Sequence, residues 1–315
     1  MLSRRLVRIK ALQSVYGFRQ SEDQSPDFLL SLYQQNIDNL QKAYYHGIQF
    51  IKALEYFLLS EIDIETSKYF PEQERIRKFR LLSNNSLIPI LDASTDLEKQ
   101  VKRLSITWDD EGETIHRFIK ELEEKSFVQD YLVFDQPSFK VSQKFLIQLI
   151  EFAFGKSKEI AEAMENAVIT WQDDKRVVLR AMVATLKDLE KEGDVLSLYR
   201  FEEHAKTEVS FGQKLALKAI KHEAELLEVL QSHIKNWEVD RIAQTDQIVI
   251  LLAACEFLYF EDIPVKVTIN EYLEIAKVYS TPQSSSFING VLDSLKSQFS
   301  KEGKLDKNEK GLREK

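Results

Sequence analysis

The stretch IPVKVTINEYLEIAKVYSTPQSSSFINGVLD, residues 263–293, decides the fold. It reads as two short helices with their start and stop signals. Pro264 suits the first turn of one helix, where a missing N–H leaves nothing unsatisfied. Ser280 or Thr281, followed by Pro282, suits the start of the next. Between them Ile269, Leu273, Ile275, Ala276 and Val278 recur at helical spacing. None of these side chains makes a reactive centre.

Working outward, the rest of the chain is helical in pattern. Residues 3–19 form a helix with an apolar stripe at Leu2, Leu6, Ile9, Leu12 and Tyr16. A long helical stretch follows from about 27 to 62. Residues 63–110 are broken by Pro71, Asn84-Asn85 and Pro89, with a capping box at Thr95-Asp96-Leu97-Glu98 opening a helix to about 104. Further helices are expected over 112–127, 139–153, 157–170, 174–191, 209–236 and 240–259. Residues 301–315 alternate Lys, Glu and Gly and read as a disordered tail. Nine glycines and six prolines in 315 residues are too few for a turn-rich β architecture, so the fold class is all-α.

Charge is distributed unevenly. The chain is at −8 overall, yet Arg4, Arg5, Arg8, Lys10 and Arg19 fall in the first 20 residues with no acid before Glu22. The remainder sets 38 basic residues against 51 acidic ones. A cationic arm on an acidic body is the polarity of an RNA contact site. The single cysteine, Cys255, lies in an apolar run and forms no disulfide framework within one chain, which points to a reducing compartment. No apolar run reaches the roughly 18–20 residues of a membrane helix, and the Arg-rich start is followed by no signal-peptide core. The expected location is the cytoplasm.

Several motifs begin like catalytic sites and stop short. Gly155-Lys156-Ser157 ends like a phosphate loop, but the glycine needed five residues earlier is Ile150. His222-Glu223 begins a zinc-protease pattern that Leu226 breaks. Glu113-x-x-His116 is the only pair of its kind, where a di-iron bundle needs two. Histidines 46, 116, 204, 222 and 233 are scattered and read as surface or interface residues. No enzyme, metal or cofactor is expected. A weak repeat aligns 159–175 with 225–241, pairing Trp171 with Trp237 and Asp174 with Asp240. It is either a duplicated unit or two similar amphipathic helices, and in both copies the Trp covers a helix end and the Asp caps the next helix.

Three blocks resemble the NusB family of bacterial transcription antitermination factors. They are Arg8-Ile-Lys-Ala-Leu-Gln13-Ser-Val-Tyr16; Trp237 to Tyr259, with Asp240-Arg241 and Leu252-Ala-Ala-Cys-Glu256; and 263–293, with Ile-Asn-Glu at 269–271, Glu-Ile-Ala-Lys at 274–277 and Phe-Ile-Asn-Gly-Val-Leu-Asp at 287–293. The resemblance implies a bundle of two helical subdomains, here enlarged by an inserted helical region. The expected divisions are an Arg-rich helix at 1–26, a helical expansion at 27–205 (its core about 60–205), the C-terminal NusB-like domain at 206–299 and the tail at 300–315.

It further implies binding of boxA-type single-stranded RNA of ribosomal leaders, together with the small-subunit ribosomal protein NusE, within the antitermination complex on RNA polymerase. Carried over, the RNA face comprises Arg4, Arg5, Arg8, Gln13, Tyr16, Phe287 and Asn289, and the NusE face Asp246 and Glu256. Arginines grip phosphates, and aromatics stack on unpaired bases. By spacing alone Tyr16 fits a core at least as well and Phe287 fits a core better, and Asn289-Gly290 fits close helix packing. Reversing Arg4 and Arg8 together is expected to abolish RNA binding with helicity intact. Two other classes compete. One is the accessory domain of an RNA cytosine methyltransferase, which requires a following catalytic domain that the sequence does not contain. The other is a helical protein–protein adaptor without specific RNA binding.

Overall fold

The computed structural model describes residues 2–233, 242–308 and 310–312. Trp237, Asp240 and Arg241 therefore lie outside the described residues, as do the end of the helix expected over 209–236 and the second copy of the 171/174 pair. Sixteen α-helices and one 3-10 turn are seen among the described residues, with no strand, so the all-α expectation holds. They group into two compact units: a terminal unit of Leu2–Ile37 with Ala205–Lys315, and a middle unit of Asp38–His204. These divisions fall after Ile37 and His204, where the sequence suggested 26 and 205. Helix α2 (Pro26–Thr66) contributes its first twelve residues to the terminal unit and the remainder to the middle one.

In the terminal unit α1 (Arg4–Arg19) packs against α12 (Lys206–Lys221), α14 (Gln244–Tyr259) and α15 (Val265–Tyr279). Helices α13 (Glu223–His233) and α16 (Ser284–Lys301) also pack against α14. Helix α14 is the centre of this unit. Every residue from Ile248 to Phe257 is buried, which is what a helix apolar on all sides must do. Gly212 lets α12 come close to its neighbours, since a Cβ there would stand 2.2 Å from the Tyr33 hydroxyl and 2.9 Å from the Val7 carbonyl oxygen. The helix expected over 209–236 is interrupted at His222, whose ring stacks on Tyr259 with centroids 4.3 Å apart.

The charged tail carries specific contacts where the sequence read as disordered. Lys307 Nζ donates to the Phe260 carbonyl at 2.8 Å and the Glu256 carbonyl at 3.2 Å, satisfying oxygens at the C-terminal end of α14. Gly311 sits where a Cβ would meet the Glu261 carbonyl oxygen at 2.0 Å, so this close approach needs glycine.

The middle unit holds the remainder of α2, α3 (Gln73–Ser83), α4 (Ile88–Asp92), α5 (Thr95–Arg103), α6 (Gly112–Glu123), α7 (Ser126–Leu132), α8 (Phe139–Gly155), α9 (Lys158–Ala167), α10 (Trp171–Lys187) and α11 (Phe201–His204). Phe50 is an aromatic hub, with Trp108, Phe118 and Phe154 at 5.0, 5.5 and 5.3 Å between centroids. Ser94, one residue before the expected capping box, caps α5 by accepting from the Leu97 N–H. Asp174 lies inside the first turn of α10 and accepts from Thr170 Oγ1 at 2.6 Å; the helix begins at Trp171, so Asp174 is not its cap. His46, expected at a surface, is buried beside Trp108.

Candidate nucleic-acid interface

The opening helix is buried on more sides than a single apolar stripe allows. Val7, Ala11, Val15 and Phe18 form one buried row, and Leu6, Lys10 and Ser14 form another. The expected stripe had left Val7 and Val15 outside and put Tyr16 inside. The structure reverses this: both valines are at 0% exposure and Tyr16 is at 43%, so Tyr16 is open to a ligand.

The shifted register also decides the fate of the arginines. Arg8 points inward and is 1% exposed. Its guanidinium donates twice to Glu256, Nε to Oε2 at 2.8 Å and Nη2 to Oε1 at 2.7 Å, and Glu256 is itself fully buried. Thr268 Oγ1 donates to the same carboxylate at 2.7 Å, and the Tyr272 hydroxyl lies 3.5 Å from it. Burial alone would depress the Arg8 guanidinium, but its hydrogen bonds and charge attraction to Glu256 outweigh that and hold it protonated. The same burial, with the Glu256 charge beside it, pushes the Tyr272 phenol well above its ordinary value. A forked, fully desolvated pair of this kind ties α1 to α14 and α15. Arg8 and Glu256 were expected on two different binding faces. The structure pairs them with each other, and neither side chain is accessible to RNA or to a protein partner.

The other cations of the arm divide. Lys10 is buried, and Arg19 is paired with Glu223. Arg5 is half-exposed and forms a forked pair with Glu271 of α15 at 2.8 and 2.9 Å. That hydrogen-bonded pairing draws the Glu271 carboxyl below its usual range. Arg4 is exposed, with its guanidinium 5.5 Å over the Phe211 ring of α12. What remains open on α1 is a row at helical spacing: Arg5 and Tyr16 are exposed, and Ile9 and Gln13 are half-buried with the Gln13 Oε1 atom itself covered, while the residues between them are buried.

Phe287 and Asn289 lie in the first two turns of α16, each half-buried, and the Asn289 amide reaches Asp293 at 3.4 Å. A Cβ on Gly290 would meet nothing within 4 Å, so the close-packing reading of Asn289-Gly290 fails at the glycine. Both α1 and α16 pack on α14. Asp246, in the first turn of α14, is buried and accepts from the Ser280 hydroxyl at the end of α15. Like Glu256, it works inside the unit. Among the described residues no group of three or more His, Cys, Asp or Glu side chains is placed to hold a metal ion, and no helix is long and apolar enough to cross a membrane. Sequence reasoning passed over Lys206, Lys214 and Lys218, which line the groove beside Arg4. Their spacing of four and eight along one helix was the available signal.

Fold and surface together define an all-helical module whose first helix is anchored by a buried ion pair and keeps one polar, aromatic row open to a ligand. The sequence model of the NusB family matches residues 172–297, from α10 through most of α16, and leaves α1 outside. The transcription antitermination protein NusB of Bacillus subtilis (strain 168) is 40% identical over 89 residues, which is 28% of this chain and 68% of that protein. Its counterpart in Salinibacter ruber (strain DSM 13855 / M31) is 40% identical over 102 residues, 32% of this chain and 64% of that protein. That of Methylacidiphilum infernorum (isolate V4) is 47% identical over 74 residues, 24% of this chain and 52% of that protein. The matches thus span between about half and two thirds of these relatives. No solved structure matches significantly. The chain belongs to the NusB family and is longer than these relatives, consistent with an extra region.

Proposed function

We propose that this chain is a non-enzymatic, cytoplasmic transcription antitermination factor that binds boxA-type single-stranded RNA of ribosomal leaders together with the ribosomal protein NusE, in the complex that carries RNA polymerase past premature stops. The relatives bear the name transcription antitermination protein. The observation that carries the reading is the open row on α1, where Arg5, Gln13 and Tyr16 stand on one side of a helix otherwise built into the core. Such a row offers a phosphate grip, a base-edge partner two turns further on and a stacking ring one turn beyond that. Arg4, Phe287 and Asn289 complete the face, and Arg8 acts as the positioning residue beneath it. Asp246 and Glu256 influence the NusE partner by fixing α14, not by touching it.

The adaptor reading draws on a different observation, the exposed aromatic pair Tyr69 and Phe70 in the middle unit. Electrophoretic mobility with a boxA RNA and a scrambled control, at two salt concentrations, separates the two. Selective binding that weakens with salt is the expected result. Equal retention of both RNAs, or none of either, refutes the RNA reading.

A further inference from the structure

Helix α12 carries a second concentration of cations, and these are not consumed by ion pairs. Lys206, Ser210, Lys214 and Lys218 follow one another at steps of four along one side of the helix. With Arg4 and Tyr259 they line an open groove of about 710 Å³. Among the described residues no carboxylate pairs with Arg4 or with any of these three lysines. The groove is built as well as charged. The Lys218 ammonium lies 5.0 Å over the Tyr259 ring, which stacks in turn on His222, and Arg4 lies over Phe211, so two of the cations are held on aromatic faces. Glu261 and Asp262 also line the groove, and Asp262 accepts from the Asn308 amide of the tail.

We propose that this groove is a second ribonucleotide-binding segment, a track in which Lys206, Lys214 and Lys218 hold the phosphates of single-stranded RNA running on from Arg4. It rests on the RNA-binding reading above and extends the footprint beyond the α1 row. Two features favour a polynucleotide over an acidic protein segment. Along α12 the three lysines are spaced by about 12 Å and then about 6 Å, with the Ser210 hydroxyl in the gap, so the cations form an extended line suited to a ligand that carries repeated charge along its length. The track also shares Arg4 with the opening helix, so one strand can occupy both.

The test is fluorescence anisotropy on the full chain with two RNAs: a minimal boxA-type strand, and the same strand with a single-stranded extension. The wild type is expected to bind the extended RNA more tightly. The combined variant Lys206→Gln, Lys214→Gln and Lys218→Gln is expected to lose at least roughly tenfold in affinity for the extended RNA, with the slope of log affinity against log salt shallower by about two, while the minimal RNA is unaffected. The matching Lys→Arg variant keeps wild-type affinity, and circular dichroism of both variants is unchanged. Equal affinity of the Gln variant and the wild type for the extended RNA overturns the proposal. Equal losses on both RNAs do so too, by placing these lysines inside the minimal site. A polyglutamate peptide that binds in their place assigns the groove to an acidic protein and also overturns it. If the wild type binds neither RNA, the RNA reading of the whole chain has failed, an outcome distinct from failure of the groove alone.

Discussion

Helices α1 and α12 lie side by side in the terminal unit, and both are basic, but their cations meet different fates. On α1, Arg8 and Lys10 are buried, Arg5 and Arg19 are paired, and Arg4 is exposed and in no ion pair among the described residues. On α12, Lys206, Lys214 and Lys218 face an open groove. A count of positive residues along a sequence therefore overstates one helix and overlooks the other. A cation locked to a buried carboxylate, as Arg8 is to Glu256, is lost to a phosphate, whereas a half-exposed pair such as Arg5–Glu271 can exchange its partner and an unpaired lysine needs no exchange.

The largest effect that can break this contrast lies in the buried pair. Arg8→Ala or Glu256→Ala leaves one charge unpaired in the core, and denaturant unfolding of the terminal unit should show a loss of about 3–5 kcal/mol. The double change Arg8→Met with Glu256→Leu should recover most of it. Lys214→Gln, by contrast, should stay within about 0.5 kcal/mol of wild type. The double reversal Arg4→Glu with Arg8→Glu is for the same reason a poor surface probe, since it sets a second carboxylate against Glu256 and is expected to unfold the unit.

The middle unit sharpens the point, because a buried base without a counter-charge gives up its proton. Burial, reinforced by the Lys42 charge, holds the His46 imidazole down to about 4 from its ordinary 6.5. The unfolded chain takes up a proton near pH 6.5 and the folded one resists until about 4. Stability is therefore full above about 6.5 and falls as the pH drops towards 4, by up to roughly 3 kcal/mol. Thermal melting across that range should show the decline in wild type and a flatter profile in His46→Leu.

The smallest effect belongs to the half-exposed pair. Arg5→Ala removes the fork to Glu271 and should cost under about 1 kcal/mol of stability, while weakening boxA-type RNA binding measurably in a filter-retention assay.

Much of this fold was legible in the sequence, and the reasons differ by region. The periodic runs located most of the long helices but not the short α3, α4, α7 and α11, and the 263–293 segment located α15 and the first half of α16, with Pro264 as the N-cap of α15 and not inside its first turn. Helix α16 begins at Ser284, past the Ser280–Pro282 signal, because Ser280 is drawn to Asp246 and serves as the C-cap of α15. The register of α1 was not legible. Leu2, Leu6, Ile9, Leu12 and Tyr16 make a plausible stripe, but a helix clasped by α12, α14 and α15 buries several rows at once, so one hydrophobic period no longer identifies the inward face. That single shift turned Arg8 from a presumed phosphate ligand into a core residue and left Tyr16 open. The partners of Arg8 and Asp246 lie 248 and 34 residues away in sequence, and no local pattern announces them.

Ultraviolet cross-linking of a boxA-type RNA to the full chain, read by mass spectrometry of the attached peptides, is the most direct test. Adducts are expected on peptides from α1 around Arg5 to Tyr16, from α12 around Lys206 to Lys218, and from the start of α16 at Phe287, with none at Arg8. Adducts confined to the middle unit between Asp38 and His204, or an Arg8 cross-link in the folded chain, would contradict it.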